Sequence, residues 1–130
     1  MVTSMSVENA LAQKLGITAV RVRPTEAVFT MPVAGNTQTV GALHGGATAA
    51  LCENCASAAA NAHAEDLGRV AVGTELTISH LRPAFTGGVK AVAHAVHLGR
   101  RRTVHSVEVW GEDENLVATA LATNTLVEAE

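Results

Sequence analysis

The stretch Gly41-Ala42-Leu43-His44-Gly45-Gly46-Ala47-Thr48-Ala49-Ala50-Leu51-Cys52-Glu53-Asn54-Cys55-Ala56-Ser57, continued by Ala58-Ala59-Ala60, decides how the rest of the chain is read. Its alanine content predicts a helix over about Gly45 to His63, thin enough for other elements to pack closely around it. Glu53 is the one carboxylate in this small, apolar run. Its neighbours are residue types usually found buried, and a buried glutamate must be paired, hydrogen-bonded or reserved for chemistry. Gly45 and Gly46 open the helix, where unpaired N–H groups and the positive dipole end favour an oxygen that gains negative charge.

Gly45 and Glu53 are eight residues apart, which separates them by roughly 12 Å along one helix axis. One helix cannot aim both at the same small group. If both act on one reacting carbon, the amide comes from one copy of the helix and the carboxylate from another. That predicts a homodimer whose twofold axis creates two equivalent shared sites.

Around that segment the chain reads as mixed α and β. Ser6 is expected to cap a short helix through Lys14, with Leu11 and Leu15 on one face and Gly16 stopping it. Ile17 to Val22 and Glu26 to Met31 are short β-prone runs joined by the turn Arg23-Pro24-Thr25. After Gly68 come longer alternating segments, Val70 to His80, Val89 to His97, Thr103 to Trp110 and Leu116 to Val127, joined by turn-prone connections at Leu98-Gly99-Arg100-Arg101 and Gly111-Glu112-Asp113-Glu114-Asn115. The expected fold is α+β: one long central helix wrapped by a curved antiparallel sheet of about six strands.

At 130 residues the chain is expected to form a single domain, residues 1–130, with 1–16 as an N-terminal helical segment. A net charge of −3, nine scattered basic residues and only Phe29, Phe85 and Trp110 as aromatic rings argue against nucleic-acid binding. The first residues lack a basic start and an apolar run, and no stretch has the length of a membrane span. With two cysteines, the expectation is a soluble cytoplasmic protein with free thiols and no membrane partner.

Gln38, the run Gly41 to Gly46, Glu53 and Ser57 together resemble the hotdog-fold acyl-CoA thioesterases of the phenylacetate-pathway type, in the branch with glutamate on the central helix that includes hydroxybenzoyl-CoA thioesterases. The resemblance covers nearly everything after residue 16. It implies that the Gly45 N–H binds the thioester oxygen and that Glu53 attacks the carbonyl or activates water. It further implies that Gln38 is associated with the thioester, that His44 is the family histidine at the helix entry, and that Ser57 helps hold water. Sites between paired subunits are implied as well, as the reach argument requires without it, and often a dimer of dimers. Gly46 adjoins the amide donor. His80 and Arg82, in Ser79-His80-Leu81-Arg82-Pro83-Ala84, and Gly99 and Arg100, in His97-Leu98-Gly99-Arg100, resemble segments that border the CoA path, and Arg101 and Arg102 extend that basic cluster. The expected activity is hydrolysis of an aromatic or medium-chain acyl-CoA to free acid and CoA. No cofactor is expected beyond the CoA carried by the substrate.

Each of these residues also has a plain structural reading. Glu53 could be paired with an arginine, Ser57 bonded back to a helix carbonyl, Gln38 an exposed loop amide, His44 a residue with only a structural bond, and the arginine run a solvated hairpin. Cys52 and Cys55 form a C-x-x-C, but a zinc site needs more ligands, and His63 lies about 16 Å beyond Cys52 on a continuous helix. The odd spacing of His94 and His97 is expected to place them on opposite strand faces, so no metal site is predicted. The alternative function is a non-catalytic acyl-CoA-binding hotdog module. A hotdog hydratase would need a histidine and an acidic partner elsewhere in the fold, and no such pair is visible.

Overall fold

The computed structural model describes residues 8–129. Its axis is α2, Gly45–Glu65, which begins behind the N-cap His44 and runs for 21 residues. Ala47, Leu51, Cys52, Cys55, Ala56 and Ala59 share one arc of that helix and are buried. The opposite arc, with Gly46, Ala50, Glu53, Asn54 and Ser57, stays half-buried or exposed.

Six strands curl around the buried arc: β1 (Thr18–Val22), β2 (Glu26–Pro32), β3 (Arg69–His80), β4 (Gly88–Leu98), β5 (Arg102–Gly111) and β6 (Leu116–Glu128). They form one antiparallel sheet in the order β1-β2-β4-β5-β6-β3. Period-2 alternation points Phe29 and Met31 of β2, Ala91 and Ala93 of β4, Val107 and Val109 of β5, and Ala118 and Ala120 of β6 into the core against α2. Alanine at so many inward positions lets the sheet close tightly on a helix that itself carries little bulk. Full burial of Phe29, the only large aromatic in this core, makes its truncation worth about 3–5 kcal/mol.

The short helix α1, Ala10–Leu15, is capped by the side chain of Asn9, which accepts from the Ala12 N–H, and ends on Gly16 at φ 73°. The expected cap Ser6 lies outside the described residues, and Asn9 occupies the capping position instead. Ala12, rather than Leu11, is the buried residue of this helix, and Leu11 is 52% exposed.

The strand expectations hold to within a residue or two, with one instructive difference in β4. A bulge between Ala95 and His97 opposes His94 to Ser106 and His97 to Val104. The extra residue shifts the alternation, so His94 and His97 share the outer face instead of pointing to opposite faces. Among the described residues no group of three or more His, Cys, Asp or Glu side chains is placed to hold a metal ion. No helix among them is long and apolar enough to cross a membrane.

Candidate active site

The turn that leads into α2 is held from two sides. The Leu43 N–H donates to the Ala84 carbonyl at 2.7 Å, and the His44 N–H to the Asn36 carbonyl at 2.8 Å. His44 then caps the helix through its ring, Nδ1 accepting the Gly46 N–H at 2.8 Å. That bond fixes the tautomer of neutral His44: Nδ1 is the acceptor, so the proton sits on Nε2, a donor free for other use. The Gly46 amide is thereby occupied by His44, while Gly46 itself lines the groove beside α1. The Gly45 N–H, at the first helical position, has no acceptor among the described residues.

Gly45 has a specific reason to lack a side chain. A Cβ there would lie 3.0 Å from His80 Nε2 and 3.1 Å from His80 Cε1. His80, the last residue of β3, therefore sits directly on the turn that carries the free amide. Arg82 follows two residues later, its N–H on the Val117 carbonyl at 3.2 Å, and belongs to this same end of the molecule. Gln38 is exposed, and its Oε1 accepts the Val40 N–H within its own turn. Its Nε2 has no acceptor among the described residues.

Glu53 lies one helix segment away. Within one chain it is exposed, contrary to the expectation of a buried glutamate, because the helix turns its other arc to the sheet. Among the described residues it makes no hydrogen bond, and the one ion pair is Arg21–Glu26, so Glu53 is not a guanidinium-bound structural residue. Its carboxylate rests on Gly73 of β3, where a Cβ would collide with Oε2. Ser57, one turn further along the same face, donates to Asn124 Oδ1 at 3.3 Å. Asn124 is 1% exposed, and its Oδ1 is 3.8 Å from where a Gly73 side chain would begin. Glu53, Gly73, Ser57 and Asn124 thus form one cluster.

Asn124 was missed by sequence reasoning, although a signal existed: it is the one amide in the inward series Ala118, Ala120, Ala122, Asn124, Leu126. Thr103, opposite it on β5, and His105 are likewise fully buried, and Thr103 Oγ1 and His105 Nδ1 have no hydrogen-bond partner among the described residues. His105 Nε2 bonds the Pro24 carbonyl at 2.9 Å. Burial pushes the His105 pKa below its ordinary 6.5, and nearby His63 adds to that, outweighing the Pro24 bond.

The arginine run sits at the far end of α2. His63 Nε2 bonds the Gly99 carbonyl at 2.7 Å, and Arg69 Nη1 donates to the Arg100 carbonyl at 2.8 Å. Arg100, Arg101 and Arg102 are exposed and, with Arg69, form no ion pair among the described residues. From the positions on α2 that these contacts mark, the run is roughly 27 Å from Gly45 along the helix but only about 15 Å from Glu53. One chain therefore does not gather the expected residues into one place: Gly45, His44, His80 and Arg82 lie at one end, Glu53 and Ser57 in the middle, and Gly99 and Arg100 to Arg102 at the other.

Cys52 and Cys55 are free, fully buried thiols. Burial pushes both up to about 12, so they remain protonated and unreactive at neutral pH. Cys55 Sγ lies 3.4 Å from the Ala27 carbonyl as a weak core donor.

A long central helix wrapped by one antiparallel sheet of six strands is the architecture of the hotdog-fold thioesterases. The Thioesterase superfamily model matches residues 40–118, and the chain belongs to that family. It is 36% identical over 124 residues to ComA2 of Bacillus subtilis, covering 95% of this chain and 98% of that one. It is 39% identical over 108 residues to the proofreading thioesterase EntH of Klebsiella pneumoniae, covering 82% and 78%. Among solved structures it is similar to a thioesterase from Haemophilus influenzae, with a TM-score of 0.86 at 31% identity over 92% of this chain and 84% of that one. The PaaI protein of the E. coli phenylacetic acid degradation operon gives a TM-score of 0.84 at 28% identity over 93% and 86%. The chain is a thioester hydrolase.

Proposed function

We propose that the protein hydrolyses an aromatic or medium-chain acyl-CoA, with the Gly45 amide of one protomer and Glu53 of the partner subunit acting on the same carbonyl. One observation carries this reading: the two reactive groups lie at opposite ends of a segment of one sheet edge. β3 is the last strand of the sheet, 12 residues long, with an unpaired ladder face that invites a second strand. Glu53 rests at Gly73 and Gly45 at His80. Antiparallel pairing of β3 with its copy about a twofold axis near Leu76 and Thr77 brings the Gly45 end of each chain to the Glu53 end of the other.

In that arrangement the Gly45 N–H and the positive end of α2 stabilise the oxygen that becomes negative as the carbonyl is attacked. The partner's Glu53 either takes a proton from a water held near Ser57 or attacks the carbon directly. In either course the carbonyl carbon gains an oxygen, the C–S bond breaks, and CoA leaves as thiolate that takes up a proton; in the direct course the resulting mixed anhydride is then split by water, which gives the free acid and restores the Glu53 carboxylate. The guanidinium groups of Arg69, Arg100, Arg101 and Arg102, which form no ion pair among the described residues, suit the anionic nucleotide end of CoA. Their distance of about 15 Å from Glu53 of the same chain supports placing them at the site that this glutamate serves.

The test is a panel of acyl-CoAs assayed for CoA release with a thiol reagent, run on the wild type and Glu53→Gln. The expected result is turnover of aromatic or medium-chain thioesters, lowered by about 10²–10⁴-fold in the variant, with CoA binding retained. Binding without turnover in the wild type would instead indicate a non-catalytic acyl-CoA-binding module. Equal turnover in both proteins would exclude Glu53 from the chemistry.

A further inference from the structure

We propose that the groove between α1 and the first turns of α2 receives the acyl group, and that Leu11 and Ala50 set how large an acyl group the enzyme accepts. This rests on the reading of Gly45 as the amide that binds the carbonyl.

Helix α1 has only six residues, far too few to be stable alone. It is nevertheless pinned at both ends. At its start Asn9 Nδ2 donates to Asn54 Oδ1 of α2 at 2.8 Å. At its end the Leu15 carbonyl, otherwise an orphan of the helix terminus, accepts from Asn36 Nδ2 at 2.7 Å. A short helix fixed in this way holds Leu11 and Leu15 as one wall of an open groove of about 370 Å³. Leu11 is left half in solvent, an exposure that packing against α2 does not explain.

The opposite wall is Gly46, Ala47 and Ala50 of α2, and His44 stands at the same turn. These small side chains are what leave the space. The volume lies at the lower end of the range for small-molecule sites, and no carboxylate, lysine or arginine lines it. Asn36, the buried polar residue there, has its amide nitrogen committed to the Leu15 and Pro32 carbonyls. Thr37 and His44, whose Nε2 is a donor, are the other polar residues on the lining, so the occupant is uncharged and mainly apolar.

The turn His44 to Ala47 carries both the free Gly45 amide and the inner wall of the groove. A thioester carbonyl bound to that amide has two further substituents. The sulfur continues into an anionic, water-soluble carrier and has no place in an apolar groove, so the acyl chain takes it. An aliphatic chain or an uncharged aryl ring fits this description, and an acyl group ending in a carboxylate does not.

The test is a series of straight-chain acyl-CoAs from butyryl to lauroyl, with benzoyl-CoA and succinyl-CoA, assayed on the wild type, Leu11→Ala, Leu11→Trp, Ala50→Phe and Glu53→Gln. In the wild type kcat/KM is expected to rise by about fourfold for each methylene that enters the groove, then level off, with succinyl-CoA far below butyryl-CoA. Leu11→Trp and Ala50→Phe move the plateau to shorter chains, and Leu11→Ala flattens the rise. Leu11 is half-exposed, so its two variants keep the fold, which an unchanged Tm verifies even if Ala50→Phe does not fold. Chain-length profiles parallel to the wild type in both Leu11 variants overturn the groove assignment. If that happens while Glu53→Gln is inactive, the catalytic reading stands and only the acyl site is wrong; a fully active Glu53→Gln overturns both.

Discussion

Adding one methyl group at Gly73 separates the catalytic reading of Glu53 from a structural one. In the structure the carboxylate lies directly on the Gly73 Cα, and a Cβ there would overlap Oε2 and stand 3.4 Å from Cδ. The obstructed atom is the far end of an exposed, flexible side chain, so the fold yields cheaply, and the carboxylate retreats by on the order of 1 Å to an ordinary contact of about 3.5 Å. Gly73 is not among the glycines with positive φ, so alanine suits the backbone, and replacing a strand glycine stabilises by roughly 0.5–1 kcal/mol. Catalysis responds in the opposite sense, because a misplacement of about 1 Å costs on the order of 10²-fold, near 2.7 kcal/mol of barrier. Gly73→Ala is therefore expected to hold or raise Tm while kcat on the best acyl-CoA falls by about two orders of magnitude, measured by thiol release and thermal unfolding on the same preparation. A kcat within twofold of the wild type at unchanged Tm would refute the reasoning, since the position of the carboxylate would not matter.

Asn124→Ala leaves Ser57 without its acceptor and opens a buried polar site; it is expected to lower stability by about 1–3 kcal/mol in denaturant unfolding and to reduce kcat more than it raises KM. Replacing Arg100, Arg101 and Arg102 together by alanine should raise KM for acyl-CoA and weaken its salt dependence while kcat is nearly kept, because the run lies far from the reacting carbon. His105 is neutral in the fold, with its pKa held below 6.5 by burial, whereas the unfolded chain takes up that proton near 6.5. Its contribution to stability is therefore complete above pH 6.5 and is lost as pH falls below it towards the folded value. His105→Gln, which can still donate to the Pro24 carbonyl, should flatten the acid slope of unfolding free energy by up to about 1.4 kcal/mol per pH unit.

The helix and the strands were legible because their periods are clean. The alanine run of α2 and the alternation in β3 to β6 mark a helix and strands even though register shifts at Gly73/Glu75, Ala95/His97 and Val109/Trp110 interrupt the strands, and the small inward residues explain why a sheet closes so tightly on this helix. Glu53 and Gly45 were legible as chemistry because a lone carboxylate and a glycine pair at a helix entry need a reason. What the alternation could not show was the bulge in β4, which rotated His97 onto the face of His94, since an inserted residue leaves no mark in composition. The burial of Glu53 was misjudged because its neighbours in sequence lie on the other arc of the helix. That His44 would cap α2 through its own ring was not legible, because a histidine ring can cap a helix as well as face a ligand and only geometry separates the two. Asn124 and Gly73 lie far from Glu53 in sequence and meet it only through the sheet.

The shared site is tested most directly by mixing two inactive chains. Glu53→Gln removes the carboxylate, and Gly45→Val drives a side chain into His80 and disturbs the amide donor. Co-expressed and purified as mixed dimers, the two variants pair an intact Gly45 from one chain with an intact Glu53 from the other in one of the two sites. The expected activity is about half of wild type for the purified mixed dimer, one site of two, and about a quarter for an unsorted, randomly paired preparation. Activity no greater than the sum of the two parents would contradict a site built across two subunits.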